Sequence, residues 1–234
     1  MLDRISGFYR IIRMIIAIDG PSGSGKSTLG RMLARALSLS YIDTGSMYRA
    51  VALAVIDAQV DPNDADAVAS LAHEIDINLQ GDPDSLTVLL GGRDITEQIR
   101  TEQVTAMSSV VSTNPGVRRA MVERQRMMGG RGAVLNGRDI GTVVFPDADI
   151  KFFLTAAPEE RAERRFNEDQ TSGLSATFAE TLADMIERDR RDSTRVDSPL
   201  KVADDAIVID STGKSADEVF ALMMERIPNV HRHN

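Results

Sequence analysis

The sequence predicts an α/β protein: a three-layer sandwich around a five-stranded parallel sheet, with a small antiparallel β insert and a helical lid. Short apolar runs alternate with segments of helical periodicity along most of the 234 residues. The first of those runs feeds a glycine loop that opens a helix. One stretch, about 75–99, breaks the pattern by alternating apolar and polar residues between glycine turns.

The elements follow in order. Residues 14–19 (MIIAID) form a short, β-branched apolar run and read as a buried strand. Leu29, Met32, Leu33, Ala36 and Leu37 recur at helical spacing over 27–39. Residues 39–43 (LSYID) read as a second strand, and 47–58 as a helix with Val51, Val55 and Ile56 on one side. Ile75, Ile77 and Leu79, then Leu86, Val88 and Leu90, alternate around the turn GDPD and stop at Gly91-Gly92. This hairpin or meander sits in an inserted subdomain, 71–109, with helical arms. A helix over 115–128 precedes a strand at 132–136, and another strand covers 149–154. Charged helices at 158–168 and 177–192 are followed by a fifth strand at 206–210 and a closing helix at 215–227. Strands alternating with helices imply a parallel sheet covered on both faces.

Composition narrows the possibilities. With 42% hydrophobic and 26% charged residues the chain can bury a sizeable core, so disorder throughout is excluded. A net charge of −8 argues against coating a nucleic acid, and no nucleic-acid partner is expected. The lack of cysteine excludes disulfides and thiolate metal sites and suits a cytoplasmic protein. No apolar run reaches the length of a membrane span, so no membrane partner is expected. Residues 1–13 lack the apolar stretch and cleavage site of a signal peptide. They are expected to be a disordered extension, with Met14 an alternative start, ahead of one domain at 14–230. No heptads or broad apolar stripe occur, which predicts a monomer.

Residues 20–28 read GPSGSGKST and fit G-x-x-x-x-G-K-[ST]. By average residue usage, a chance match has odds on the order of one per cent. Glycine lets successive backbone N–H groups turn inward onto phosphate oxygens, and the following helix presents its positive end to them. Gly20, Pro21, Ser22, Gly23, Ser24, Gly25, Lys26, Ser27 and Thr28 are therefore expected to bind ATP. Lys26 supplies charge to the β- and γ-phosphates, and the Ser27 hydroxyl is the expected ligand for Mg²⁺. No Asn-Lys pair occurs, which removes the guanine-reading signature of a GTPase. The third strand ends in Asn-Gly-Arg-Asp, not in a carboxylate pair, and this leaves a small-molecule kinase.

Arginine dominates the basic residues: of 27, only Lys26, Lys151, Lys201 and Lys214 are lysine. Arg49, Arg100, Arg118, Arg119, Arg138, Arg161, Arg164, Arg165, Arg188, Arg190, Arg191 and Arg195 recur on loops and helix ends. The planar guanidinium suits phosphate oxygens. Joining ATP to a monophosphate brings two polyanions together, and transfer spreads charge over equatorial oxygens that cationic donors stabilise. An ionised phosphate acceptor needs no general base. Any single arginine of 161–165 or 188–195 could equally be a solvated residue in a surface ion pair.

Five segments, GPSGSGKST, DTGSMYRA (43–50), IRTEQV (99–104), GRDIGTVVFPDA (137–148) and ERDRRDSTR (187–195) with SPL after it, resemble the bacterial-type cytidylate kinases. These belong to the nucleoside monophosphate kinases, within the P-loop kinase fold. The likeness runs from about 14 to 227, and the β insert resembles the extra subdomain of that type. It implies ATP with Mg²⁺ as donor, CMP or dCMP as acceptor, and catalytic roles for Lys26, Arg138, Arg188 and Arg195. By position, Thr44 resembles a base- or ribose-side contact, and Arg49, Arg118 and Arg138 a clamp on the acceptor phosphate. Ser109 and Asp139 resemble contacts near the cytosine edge. Arg188 and Asp192 resemble a pair reaching the ribose and the transferring phosphate, and Arg195 a further phosphate ligand. Arg161, Arg164 and Arg165 fall in the lid over ATP, about 158–195, with Arg161 and Arg165 expected to bind it. Many relatives carry a carboxylate just before GRD; here it is Asn136.

Other residues read more plainly. Met121, Met127, Met128, Met185, Met223 and Met224 are expected to fill the core. His73, His231 and His233 lack metal-ligand spacing. Tyr48 could stack near the acceptor or simply pack. The acidic stretch 57–66 reads as a solvated turn and helix start. A kinase for UMP, dTMP, AMP or shikimate, a non-catalytic nucleotide-binding protein, and a nucleic-acid-dependent ATPase remain as alternatives.

Overall fold

The computed structural model describes residues 14–171 and 175–228. The expected extension 1–13, His231 and His233 lie outside them. Strands β1 (Ile15–Asp19), β2 (Ser40–Asp43), β6 (Ala133–Gly137), β7 (Ile150–Thr155) and β8 (Ile207–Asp210) form one parallel sheet in the order β2-β6-β1-β7-β8. β1 is central, and Ile16, Ala17 and Ile18 are fully buried, as expected where both faces are covered.

The two faces follow from strand alternation. Ile16 and Ile18, with Val134, Phe152 and Leu154, point into one core; Ala17, with Ile42 and Leu135, points into the other. The first core packs on α1 (Lys26–Leu37) and α8 (Ala216–Arg226), which contribute Leu29, Leu33, Val219 and Met223. The second packs on α2 (Thr44–Asp57), α3 (Ala65–Glu74), α4 (Glu102–Val111) and α5 (Pro115–Gly129). Each fully buried Phe152- or Leu33-sized side chain contributes about 1.5–3 kcal/mol by leaving water.

The insert is a three-stranded antiparallel meander of β3 (Ile77–Gln80), β4 (Thr87–Leu90) and β5 (Arg93–Asp94). Ile77, Val88, Ile95 and Ile99 join the second core, so the insert is packed against α2 on that side of the sheet. The segment expected to be the lid forms α6 (Pro158–Thr171) and α7 (Phe178–Thr194). A Thr177–Glu180 capping box starts α7, and a Ser215–Glu218 box starts α8.

Three details depart from the sequence reading. The helix expected from residue 47 begins at Thr44, because the Asp43 side chain accepts the Gly45 N–H and caps it at the strand end. Met127 is not core: it lies on the solvent side of α5 and is 75% exposed, while Met121, Met185 and Met223 are buried. The segment after Asp139 is a π-helical turn, Ile140–Val144, which no periodicity announced.

Candidate active site

The glycine loop leaves the C-terminal end of β1, where open α/β sheets hold ligands. Gly20 sits at φ 147°, and a Cβ there would stand 2.1 Å from the Leu154 carbonyl oxygen, so only glycine lets the loop start so close to β7. The helix α1 opens at Lys26. Lys26 Nζ donates to the Pro21 carbonyl at 2.5 Å and lies 3.4 Å from Ser24 Oγ. Burial, followed by the nearby Arg138 and Arg188 guanidiniums, holds this ammonium well below its ordinary pKa, with Asp19 and Asp189 opposing.

β6 lies beside β1, with Asp19 opposite Gly137 and Ile18 opposite Asn136. This register delivers Arg138 and Asp139 to the mouth of the glycine loop. Asn136 is buried, and its Nδ2 donates to Ser27 Oγ at 3.0 Å while its Oδ1 has no hydrogen-bond partner among the described residues. Thr44, also buried, donates its hydroxyl to the Asn136 carbonyl at 2.7 Å and ties the ends of β2 and β6 together. Arg49 Nη2 donates to Ser46 Oγ at 2.8 Å and to Asp43 Oδ2 at 3.3 Å. Burial pushes the Asp43 carboxyl up, but Arg49 and the Ser46 and Gly45 donors bring it net below the usual range.

Beside them runs an alternating chain of charge. Arg118 of α5 donates from Nη2 to Asp139 Oδ2, both almost fully buried, and its guanidinium lies 5.5 Å from the centre of the Tyr48 ring. Arg195 Nη2 is 3.9 Å from Asp139 and its Nη1 is 3.3 Å from Asp192. Arg138 Nε donates to Asp192 Oδ2 at 2.9 Å. Burial raises the Asp192 pKa, but Arg138, Arg188 and Arg195 together hold it below the usual value. Arg188, half-buried on α7, makes no hydrogen bond or ion pair among the described residues. Burial and then the Arg138 charge bring its pKa down to about 10.

Donors are in surplus here. Arg49 Nε, Arg118 Nε and Arg195 Nη2 are buried with no hydrogen-bond acceptor among the described residues. Such groups are costly unless an acceptor arrives.

The remaining expected residues are placed differently. Arg161 is buried and its guanidinium donates to the Ala156 carbonyl, the Ser22 carbonyl at 3.1 Å and Asp189 Oδ2 at 2.6 Å. It thus joins the glycine loop to both lid helices. Arg165 pairs with Asp169 within α6, and Arg164 with Glu160 and Ser211. Ser109 donates at 3.5 Å to the Thr105 carbonyl of its own helix and does not join the charge chain. Sequence reasoning missed Asp19, buried behind the loop and accepting N–H groups from Ile140 and Gly141, and Asp189, the partner of Arg161. A carboxylate closing the buried run MIIAID was the available signal for Asp19; Asp189 carried none.

A phosphate-binding loop facing guanidiniums from β6, α5 and α7 defines a P-loop phosphotransferase. The comparisons narrow the class. The cytidylate kinase family model matches residues 16–229. A cytidylate kinase of Geobacter sp. (strain M21) is 49% identical over 90% of this chain and 91% of its own. That of Corynebacterium efficiens is 47% identical over 91% and 93%. An uncharacterized protein from Eubacterium ventriosum, 12% identical with a TM-score of 0.51, covers 92% of this chain and 98% of its own and shares the fold. The chain belongs to the cytidylate kinase family.

Proposed function

We propose that this protein transfers the γ-phosphoryl group of ATP to CMP or dCMP, releasing ADP and CDP or dCDP. The observation that carries this reading is the set of guanidinium donors left without acceptors near the glycine loop. Arg49 Nε, Arg118 Nε and Arg195 Nη2 are buried with no hydrogen-bond partner among the described residues. Lys26, Arg138 and Arg188 lie close enough to repel one another, with Asp19, Asp189 and Asp192 opposing. The triphosphate of ATP and the single phosphate of the acceptor would supply the missing acceptors and relieve that repulsion.

In this reading the loop N–H groups and Lys26 hold the β- and γ-phosphates of ATP. Arg138 and Arg188 span from the acceptor phosphate to the moving phosphoryl group, and Arg195 and Arg49 hold the acceptor phosphate from its other sides. The acceptor oxygen forms its bond to the γ-phosphorus as the bond to the β-phosphate oxygen breaks. The electron pair leaves with ADP, and no proton need move because the acceptor phosphate is ionised. The buried Arg118–Asp139 pair, with the Arg118 guanidinium over the Tyr48 ring, serves in this reading as a donor and an acceptor for a base edge.

The residues present fit a nucleotide-borne Mg²⁺. Ser27 offers its hydroxyl, and the orphaned, buried Asn136 Oδ1 offers an acceptor for a water of the ion's shell. No cluster of carboxylates or histidines among the described residues could hold a metal alone. When bound, Mg²⁺ supplies neutralising charge to the phosphates.

A panel of CMP, dCMP, UMP, dTMP and AMP with coupled detection of ADP tests the assignment. The two cytidine nucleotides should turn over fastest; faster turnover of UMP or AMP would overturn it.

A further inference from the structure

Asp19 is the last residue of β1 and is 5% exposed. Its Oδ1 accepts the Ile140 N–H at 2.8 Å and its Oδ2 accepts the Gly141 N–H at 2.7 Å. Those two N–H groups open the π-helical turn Ile140–Val144 and have no carbonyl within it. The turn follows directly on Arg138 and Asp139, so whatever fixes its first two amides fixes where both side chains leave the backbone.

We infer that Asp19 is a positioning residue, whose carboxylate locks the Ile140–Gly141 amides against the root of the glycine loop and so sets Arg138 and Asp139 at the acceptor. This rests on the acceptor-side reading of those two residues given above.

Three further observations support it. A Cβ on Gly141 would stand 3.0 Å from Lys151 Cδ, 3.2 Å from its Cγ and 3.4 Å from Asp19 Oδ2, so the Gly141 amide sits closely between the Lys151 stem and the Asp19 carboxylate. The far end of the segment is pinned independently, since Lys151 Nζ donates to the Pro146 carbonyl and, at 2.8 Å, to Asp205. Between the two anchors the turn has little freedom, and the Asp19 bonds hold the end that bears Arg138. Finally, the arrangement is costly. Burial pushes the Asp19 carboxyl up to about 6 even though Gly141 and Ile140 pull it down; Asp139 on the turn adds to the rise and Lys26 on α1 opposes it. A carboxylate retained at such a cost is accounted for by a double acceptor that a neutral amide cannot reproduce, because one of its two polar atoms would be a donor facing a donor.

The test uses the full chain and calorimetric affinities for CMP and for ATP in Asp19→Asn, Gly141→Ala, Arg138→Ala and the double variant Asp19→Asn/Arg138→Ala. Misplacement by a fraction of an ångström should weaken CMP about 10-fold or more in Asp19→Asn while ATP stays within about twofold. If Asp19 acts through Arg138, adding Asp19→Asn to Arg138→Ala should cost less than about threefold more. Should Asp19→Asn fail to fold, Gly141→Ala, whose methyl would crowd the Lys151 stem and shift the amide that Asp19 accepts, carries the same selective expectation. Equal losses for CMP and ATP, or losses that multiply fully in the double variant, would overturn the inference. If Arg138→Ala itself leaves CMP affinity unchanged, the acceptor-side reading fails and takes this inference with it. If Arg138→Ala weakens CMP but neither Asp19→Asn nor Gly141→Ala does, only the inference fails.

Discussion

Arg138 Nε and Asp192 Oδ2 stand 2.9 Å apart and join the end of β6 to the lid helix α7 across 54 residues of sequence. Asp192 also takes Arg195 at 3.3 Å, so one carboxylate holds two guanidiniums in place. Replacing it with alanine leaves Arg138 without a carboxylate and Arg195 held only by the Ser198 carbonyl and the more distant Asp139. We expect Asp192→Ala to raise KM for CMP about tenfold or more and KM for ATP far less, since restraint of the clamp is what is lost. Steady-state kinetics with each substrate varied checks this; equal effects on the two substrates would contradict it.

Arg188 differs from its neighbours in making no hydrogen bond or ion pair among the described residues, although the charge of Asp192 is near it. A cation held in reserve matters most when charge builds on the moving phosphoryl group. Arg188→Ala should therefore lower kcat by about 10²–10³-fold, with ATP affinity by calorimetry changed less than about threefold. A loss of ATP affinity matching the loss of kcat would show that Arg188 serves only to bind the donor.

Asn136 donates to the Ser27 hydroxyl, where a carboxylate would accept from it. Asn136→Asp reverses that bond and adds a charge beside the expected metal seat. Mn²⁺ binding without nucleotide, followed by electron paramagnetic resonance, should be negligible in the natural chain and strengthened about tenfold or more in the variant. Equal binding by both would show that this position does not face the ion.

The raised Asp19 pKa has a definite sign. Its folded value of about 6 lies above the roughly 3.9 of an unfolded aspartate. Between those values the folded chain binds more protons, so this group's contribution to stability falls as pH rises through the window, by a total on the order of 3 kcal/mol. The difference in Tm between the natural chain and Asp19→Asn should shrink steadily from about pH 4 to about pH 7. A difference that is flat or grows with pH would show that the folded carboxyl titrates normally.

Much of this was legible in the sequence, for identifiable reasons. The strand runs are apolar and short, and the glycine motif has only one backbone solution, so sheet, loop and Lys26 followed from local pattern. The meander was readable because GDPD and Gly91-Gly92 punctuate an alternating run. The register that sets Gly137 opposite Asp19 was not readable, since parallel pairing is fixed by distant residues. The π-turn was hidden for a related reason: its first two amides are satisfied by a carboxylate some 120 positions away. The lid arginines show the limit most clearly. Arg161, Arg164 and Arg165 look alike as sequence, yet one reaches the glycine loop, one reaches Ser211 and one stays on its own helix. Only the packing of α6 against the glycine loop, the end of β8 and α7 separates them.

The central claim is that guanidiniums from three separate elements gather around an acceptor phosphate opposite Lys26. A crystal structure with CMP and a non-hydrolysable ATP analogue bound together tests it most directly. The account predicts the CMP phosphate between Arg138 and Arg188, facing the γ-position of the analogue, with the base beside Arg118 and Asp139. A CMP molecule bound elsewhere, with Arg188 still unpartnered and Arg138 contacting neither nucleotide, would contradict it.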